Sequence, residues 1–271
     1  MAIDRRHCLA GLGSAALLGA GGAPAGLTLG TDPFFLSAAR GTDGRFRLVT
    51  LDANGRRAEA AALPARGHSA AISPDRRAAV VFARRPGTFA LVTDMPGGDP
   101  IRQINAPSGR HFYGHGVFSA DGTLLYATEN DFEAARGVIG VYDVQDGYTR
   151  LGELPSHGVG PHDIGLSADG KMLIVANGGI ETHPDAPRVK LNLDSMRPSL
   201  AFIRRSDGSL IEKQVLADDL HQLSIRHLAC GTEGRIAVGL QAQIQSDSRP
   251  PLGALSHGPR SGRKFLDLPR D

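Results

Sequence analysis

The sequence predicts an all-β fold, a β-propeller of four-stranded blades. Three observations carry this. The same turn recurs between pairs of short apolar strands: Ile72-Ser73-Pro74-Asp75, Phe118-Ser119-Ala120-Asp121-Gly122, Leu166-Ser167-Ala168-Asp169-Gly170 and Cys230-Gly231-Thr232-Glu233-Gly234. The acidic turn residues Asp75, Asp121, Asp169 and Glu233 stand 46, 48 and 64 residues apart. Such a period, holding four short strands, is that of propeller blades. The chain of 271 residues also carries 35 glycines, 17 prolines and no tryptophan, a composition rich in turns.

Taken in order, the chain opens on an export signal expected over residues 1–30. Arg5-Arg6 precedes a weakly apolar Ala/Gly/Leu stretch and then small residues suited to cleavage. Paired arginines favour the twin-arginine route over ordinary secretion. The stretch is too short and glycine-rich for a good membrane span, so the mature chain is expected in the periplasm without stable membrane insertion. Cys8 leaves with the signal, and Cys230, in an apolar strand, reads as a buried structural thiol.

The propeller domain is expected over 31–271. Phe34–Ala39, Phe46–Asp52 and Ala58–Leu63 form an incomplete leading blade. Ser69–Ser73, Ala78–Ala83, Phe89–Asp94 and Ile101–Ile104 form the next. Gly116–Ser119, Leu124–Thr128, Val138–Asp143 and Thr149–Leu154 follow. Asp163–Ser167, Met172–Ala176, Leu200–Arg204 and Leu210–Leu216 make a further blade, and Arg226–Gly231, Arg235–Leu240, Leu252–Leu255 and Phe265–Leu268 the last. About five blade equivalents are therefore present, either a tight five-bladed ring or an incomplete version of a larger one.

Propeller geometry turns these positions into one place. His68, His115, His162 and His227 stand at the starts of innermost strands. The loops between second and third strands, including Arg84-Arg85, Glu129-Asn130-Asp131 and Asn177 to Asp185, return to the same face. Candidate ligand-binding residues at this mouth are His68, His115, Glu129, Asn130, His162, Asp163, Asn177, Glu181, His183 and His227. Of these, His162, Glu181 and His183 form the candidate metal set, because imidazole with carboxylate suits a divalent metal or iron better than calcium. Histidines repeated at equivalent positions also suit a structural device copied four times. Lys190, Asn192, Asp194 and Arg197, in the long insertion, either cap the mouth or pack across the adjacent blade. The Ser-x-Asp turns, and Asp94 and Asp143 at the ends of third strands, are assigned to turn geometry.

Net charge is +2, from 30 basic and 28 acidic side chains, with no long basic run in the domain, so nucleic acid is not expected as a partner. Nucleophile elbows, phosphate-binding glycine loops and paired-cysteine motifs are lacking.

The strings FYGHGVFSADGTLLYATENDFEAARGVIGVYD, GVGPHDIGLSADGKMLIVANGGIETHPD, KLNLDSMRPSL and HQLSIRHLA resemble the family of exported bacterial propellers known as domain of unknown function fifteen-thirteen. The resemblance implies an architecture like that of YVTN-repeat and lactonase-type rings with seven blades, so this chain departs from it by roughly two blades at the C-terminus. Such proteins are often encoded beside imelysin-type iron-uptake proteins, which implies a periplasmic iron-uptake protein as partner. Three functions are carried forward: a binding or accessory propeller handling iron or another metal, a metal-dependent lactonase-like hydrolase, and a protein-interaction scaffold.

Overall fold

The computed structural model describes residues 35–52, 54–55, 57–95, 100–186, 189–231, 233–243 and 253–265. The export signal expected over residues 1–30 lies outside the described residues. Among the described residues, nineteen strands form five antiparallel sheets arranged as a five-bladed β-propeller with almost no helix. The first blade is β1 (Phe35–Arg40), β2 (Phe46–Leu51) and β3 (Arg57–Ala62). The second is β4 (Gly67–Ile72), β5 (Ala78–Ala83), β6 (Phe89–Asp94) and β7 (Pro100–Asn105). The third is β8 (Arg110–Phe118), β9 (Leu124–Asp131), β10 (Arg136–Asp143) and β11 (Thr149–Pro155). The fourth is β12 (Pro161–Leu166), β13 (Met172–Asn177), β14 (Ser199–Arg204) and β15 (Leu210–Val215). The fifth is β16 (Leu223–Cys230), β17 (Ile236–Ala242), β18 (Gly253–Ser256) and β19 (Arg263–Phe265).

The innermost strands β1, β4, β8, β12 and β16 pack against one another in succession. Among the described residues, β16 makes no contact of that extent with β1. The core lies between blade faces. Val80, Phe82 and Val92 of the second blade meet Phe112, Phe118, Leu125 and Tyr142 of the third, and Ile174, Leu200 and Phe202 of the fourth meet Ile225, Ile236 and Val238 of the fifth. Second and third strands, covered on both faces, are therefore continuous apolar runs such as AAVVFA, whereas outermost strands leave Ile101 and Leu151 in solvent.

The recurrent turns hold themselves together. Ser73, Ser119 and Ser167 each donate Oγ–H to the aspartate two residues on, and accept the N–H of Ala78, Leu124 and Met172. Each aspartate also accepts the N–H two residues beyond it. These bonds lower the three carboxyls, Asp121 to about 2. Asp94 and Asp143 likewise accept turn N–H groups, so their assignment to geometry holds.

Two features differ from the expectation. The β8–β9 hairpin runs further, pairing Arg110 with Asp131 and Phe112 with Glu129, so Glu129, Asn130 and Asp131 are strand residues rather than a loop. Cys230, at the end of β16, is exposed as a residue, though burial pushes its thiol up to about 12. The long insertion packs across the fifth blade: Lys190 reaches the Gln243 carbonyl, Gln222 donates to the Leu193 carbonyl, and Arg197 pairs with Asp218.

Candidate functional site

The site is made by β-bulges. In four innermost strands the register with the second strand breaks: between Gly67 and Ala70 in β4, Phe112 and Gly116 in β8, Pro161 and Asp163 in β12, and Ile225 and Leu228 in β16. A bulge bends a strand and re-aims the side chain at the extra residue. The residues within these breaks include His68, His115, His162 and His227, one from each blade. The β1–β2 register is unbroken, and the first blade adds no histidine.

The four rings meet at the axis. Their six centroid separations run from 4.8 to 6.4 Å. His115 and His162 are buried, His68 and His227 partly so. One ligand atom from each of His68, His115 and His162 lies within 4.8 Å of the others, and the same holds for His115, Asp163 and His227. Gly114, at φ +109°, permits this crowding, because a Cβ there would run into the ring of His68.

Asp163 anchors the group. Its Oδ1 accepts from Nδ1 of His115 at 3.0 Å and from the Ile164 N–H at 2.8 Å, and its Oδ2 accepts the Leu228 N–H at 3.0 Å. Nδ1 of His227 stands 3.7 Å from Oδ2, an electrostatic contact longer than a hydrogen bond. Burial works to raise the Asp163 carboxyl, but His115, His227 and the Leu228 N–H outweigh it and hold it well below the usual range. Among the described residues, buried Nε2 of His115, Nδ1 of His162 and Nδ1 of His227 have no hydrogen-bond partner. Burial, with neighbouring His115, His227 and Arg84, pushes the His68 imidazole down to about 3. Burial pushes His162 down as well, helped by His115 and Arg226.

The remaining candidates lie elsewhere. Glu129, fully buried, accepts from Tyr142 Oη at 2.6 Å and Arg150 Nη2 at 2.8 Å, inside its own blade. Asn130 donates to the Thr182 carbonyl and meets Nε2 of His111 at 3.2 Å. Asn177 ties β13 to Ser156, through its Oδ1 and Nδ2. His183 stands edge-on to Phe132 and 3.6 Å from Glu133, and the backbone of Glu181 is held by Asn192. The set His162, Glu181 and His183 is therefore not brought together; among the described residues His162 shares its cluster with His68 and His115 instead. The bulges bring the strand histidines together, while His183, in the insertion, meets Phe132 and Glu133. Sequence reasoning passed over Arg226, whose signal was a guanidinium beside His227 in an otherwise apolar strand.

The fold and site together define a five-bladed propeller with a histidine cluster on its axis. The family described as "Protein of unknown function (DUF1513)" matches residues 61–269, and the chain belongs to that family. No curated protein matches it by sequence. Among solved structures it is similar to Kuenenia stuttgartiensis hydrazine synthase, at 19% identity and a TM-score of 0.56, over 81% of this chain. This chain spans 60% of the length of that one, and at such identity the likeness shows the fold alone.

Proposed function

We propose that the axial cluster binds a divalent first-row transition metal, and that the protein is a metal-binding propeller of the periplasm. The observation that carries this reading is the convergence of His68, His115, His162 and His227 from four blades, with buried ring nitrogens on the last three that have no partner among the described residues. An unpaired buried polar atom is costly, and metal coordination would satisfy several at once. Imidazole donors select copper, zinc, nickel or iron over calcium and magnesium, which want oxygen ligands. The pattern in which Asp163 holds Nδ1 of His115 and leaves Nε2 for the metal is the usual carboxylate–histidine support of such sites.

Binding is favoured over lactone or ester hydrolysis because the carboxylates that hydrolysis would use as base are committed. Asp163 already accepts from three donors and Glu129 is tied to Tyr142 and Arg150. The test is thermal unfolding of the metal-free protein with copper, zinc, nickel, iron(II), calcium and magnesium added separately. A ligand of the folded state raises the transition. Transition metals are expected to raise it, and His115→Ala with His162→Ala to abolish the rise. A rise that survives both substitutions, or no rise with any transition metal, rejects the axial site.

A further inference from the structure

The four ring centres of the axial cluster lie near the corners of a tetrahedron. His68 stands 4.9 Å from His115, 5.5 Å from His162 and 6.4 Å from His227; His115 stands 5.1 Å from His162 and 5.2 Å from His227; His162 and His227 are 4.8 Å apart. A metal–nitrogen bond is about 2.0–2.1 Å and a ring nitrogen lies about 1.1 Å from its ring centre, so an imidazole on an ion has its centre about 3.2 Å away. Four centres at that radius are about 5.2 Å apart in a tetrahedron; a square gives four separations of about 4.5 Å and two, across it, of about 6.4 Å. In the protein no separation is below 4.8 Å, and the pair opposite the long one, His115 with His162, stands at 5.1 Å. The spacing is that of a tetrahedron with one stretched edge.

Three of the rings already present their nitrogens, since one ligand atom from each of His68, His115 and His162 lies within 4.8 Å of the others. His227 is the fourth ring. Its Nδ1 is buried and stands 3.7 Å from Oδ2 of Asp163, so no hydrogen bond among the described residues ties that nitrogen where it is. The stretched edge, His68 to His227, is the one that an ion would shorten. Asp163 is placed to support the donors rather than to join them: an ion on its oxygens would break the bond to Nδ1 of His115 and compete with the N–H groups of Ile164 and Leu228. The rings come from β4, β8, β12 and β16, so an ion on all four would join the second to fifth blades.

We infer that the axial site takes one ion held by all four imidazoles in a closed tetrahedron, with no position left for water or a substrate. This rests on the reading of the cluster as a metal site. Zinc adopts such four-coordinate closed sites readily, whereas copper(II) and nickel(II) favour square or tetragonal ones. The spacing of the rings therefore suits zinc, and cobalt(II) as its spectroscopic substitute, over those two ions.

The experiment is titration of the metal-free protein with cobalt(II), which absorbs strongly in the visible when tetrahedral and weakly when six-coordinate. Strong bands saturating at one cobalt per chain are expected, and azide should leave them unchanged, because no position is open to it. X-ray absorption of the zinc-loaded protein should count four imidazoles. His227→Ala opens one position: azide should then shift the cobalt bands, and zinc affinity should fall at least tenfold. If that variant does not fold, the azide response and the imidazole count of the unaltered protein carry the test. Weak bands, bands that azide shifts in the unaltered protein, a count of three imidazoles, or zinc affinity unchanged in His227→Ala each overturn the closed site while the metal reading stands. Binding of neither cobalt nor zinc rejects the metal reading, and the closed site with it.

Discussion

Nδ1 of His115, on the third blade, donates to Oδ1 of Asp163, on the fourth, at 3.0 Å. An ionised carboxylate only accepts, so Nδ1 carries a hydrogen, while Nε2 is buried and has no hydrogen-bond partner among the described residues. The contact therefore joins two blades and fixes the orientation of the His115 ring.

Asp163→Asn tests that link. Asparagine keeps an acceptor for a backbone N–H but brings no charge to the histidines. Loss of such a supporting carboxylate costs about 10- to 100-fold in metal affinity. Competition of the purified protein against a chromogenic chelator measures it, and unaltered affinity in a folded Asp163→Asn variant would count against the role given to Asp163.

The Glu129–Arg150 pair makes the opposite prediction. Glu129 is fully buried, and Gly140 leaves the room its carboxylate occupies, since a Cβ there would collide with it. Arg150→Ala strands that carboxylate without its cation, a loss of about 3–5 kcal/mol for a buried pair. Denaturant unfolding should show this loss while the metal-induced rise in melting temperature stays intact, because neither residue reaches the axis. Loss of the metal response with stability unchanged would place Glu129 at the site after all.

What the sequence made legible follows from what is locally encoded. A Ser-x-Asp turn closes through bonds within a few residues, as Ser119 and Asp121 show, so its recurrence announces the blades. Counting back from each turn places the histidine at the start of its strand, and that offset found His68, His115, His162 and His227. The bulges were not legible, because they are mismatches between two strands and neither strand records them alone. Without them, His162 was grouped with Glu181 and His183 rather than with its counterparts. Glu129 and Asn130 were misplaced for a related reason: beyond the break at Tyr113 to His115 the hairpin resumes pairing, which a period-two reading of β8 does not anticipate.

Gly114→Ala should harm the site through shape alone. The residue has φ +109°, a region that side chains other than hydrogen rarely adopt, and the added methyl meets the His68 ring. Strain and displacement together are expected to cost about 1–3 kcal/mol. His68 must move, so metal affinity should fall as well, in a variant that changes no donor atom. An alanine variant with native affinity would mean that His68 is not a ligand.

The metal-free protein should weaken in mild acid. The imidazole of His68 is held at about 3 in the folded state, against an ordinary 6.5, first by burial and then by His115, His227 and Arg84; Asp163, acting the other way, is outweighed. Between those values the unfolded chain binds a proton that the folded chain refuses, so stability is full above about pH 6.5 and declines as pH falls towards 3. His162 is lowered in the same direction. Asp75, Asp121, Asp163 and Asp169 have lowered carboxyls, whose stabilising contribution fades only as pH falls through about 4 and below. The window from pH 6.5 to 4.5 thus reports the histidines, with Glu129, whose carboxyl burial raises, acting the other way. Urea unfolding across it should give a falling free energy in the wild type and a shallower fall in His68→Gln. Equal slopes for the two proteins would show that His68 takes up its proton alike in the folded and unfolded chains, against the burial described for it.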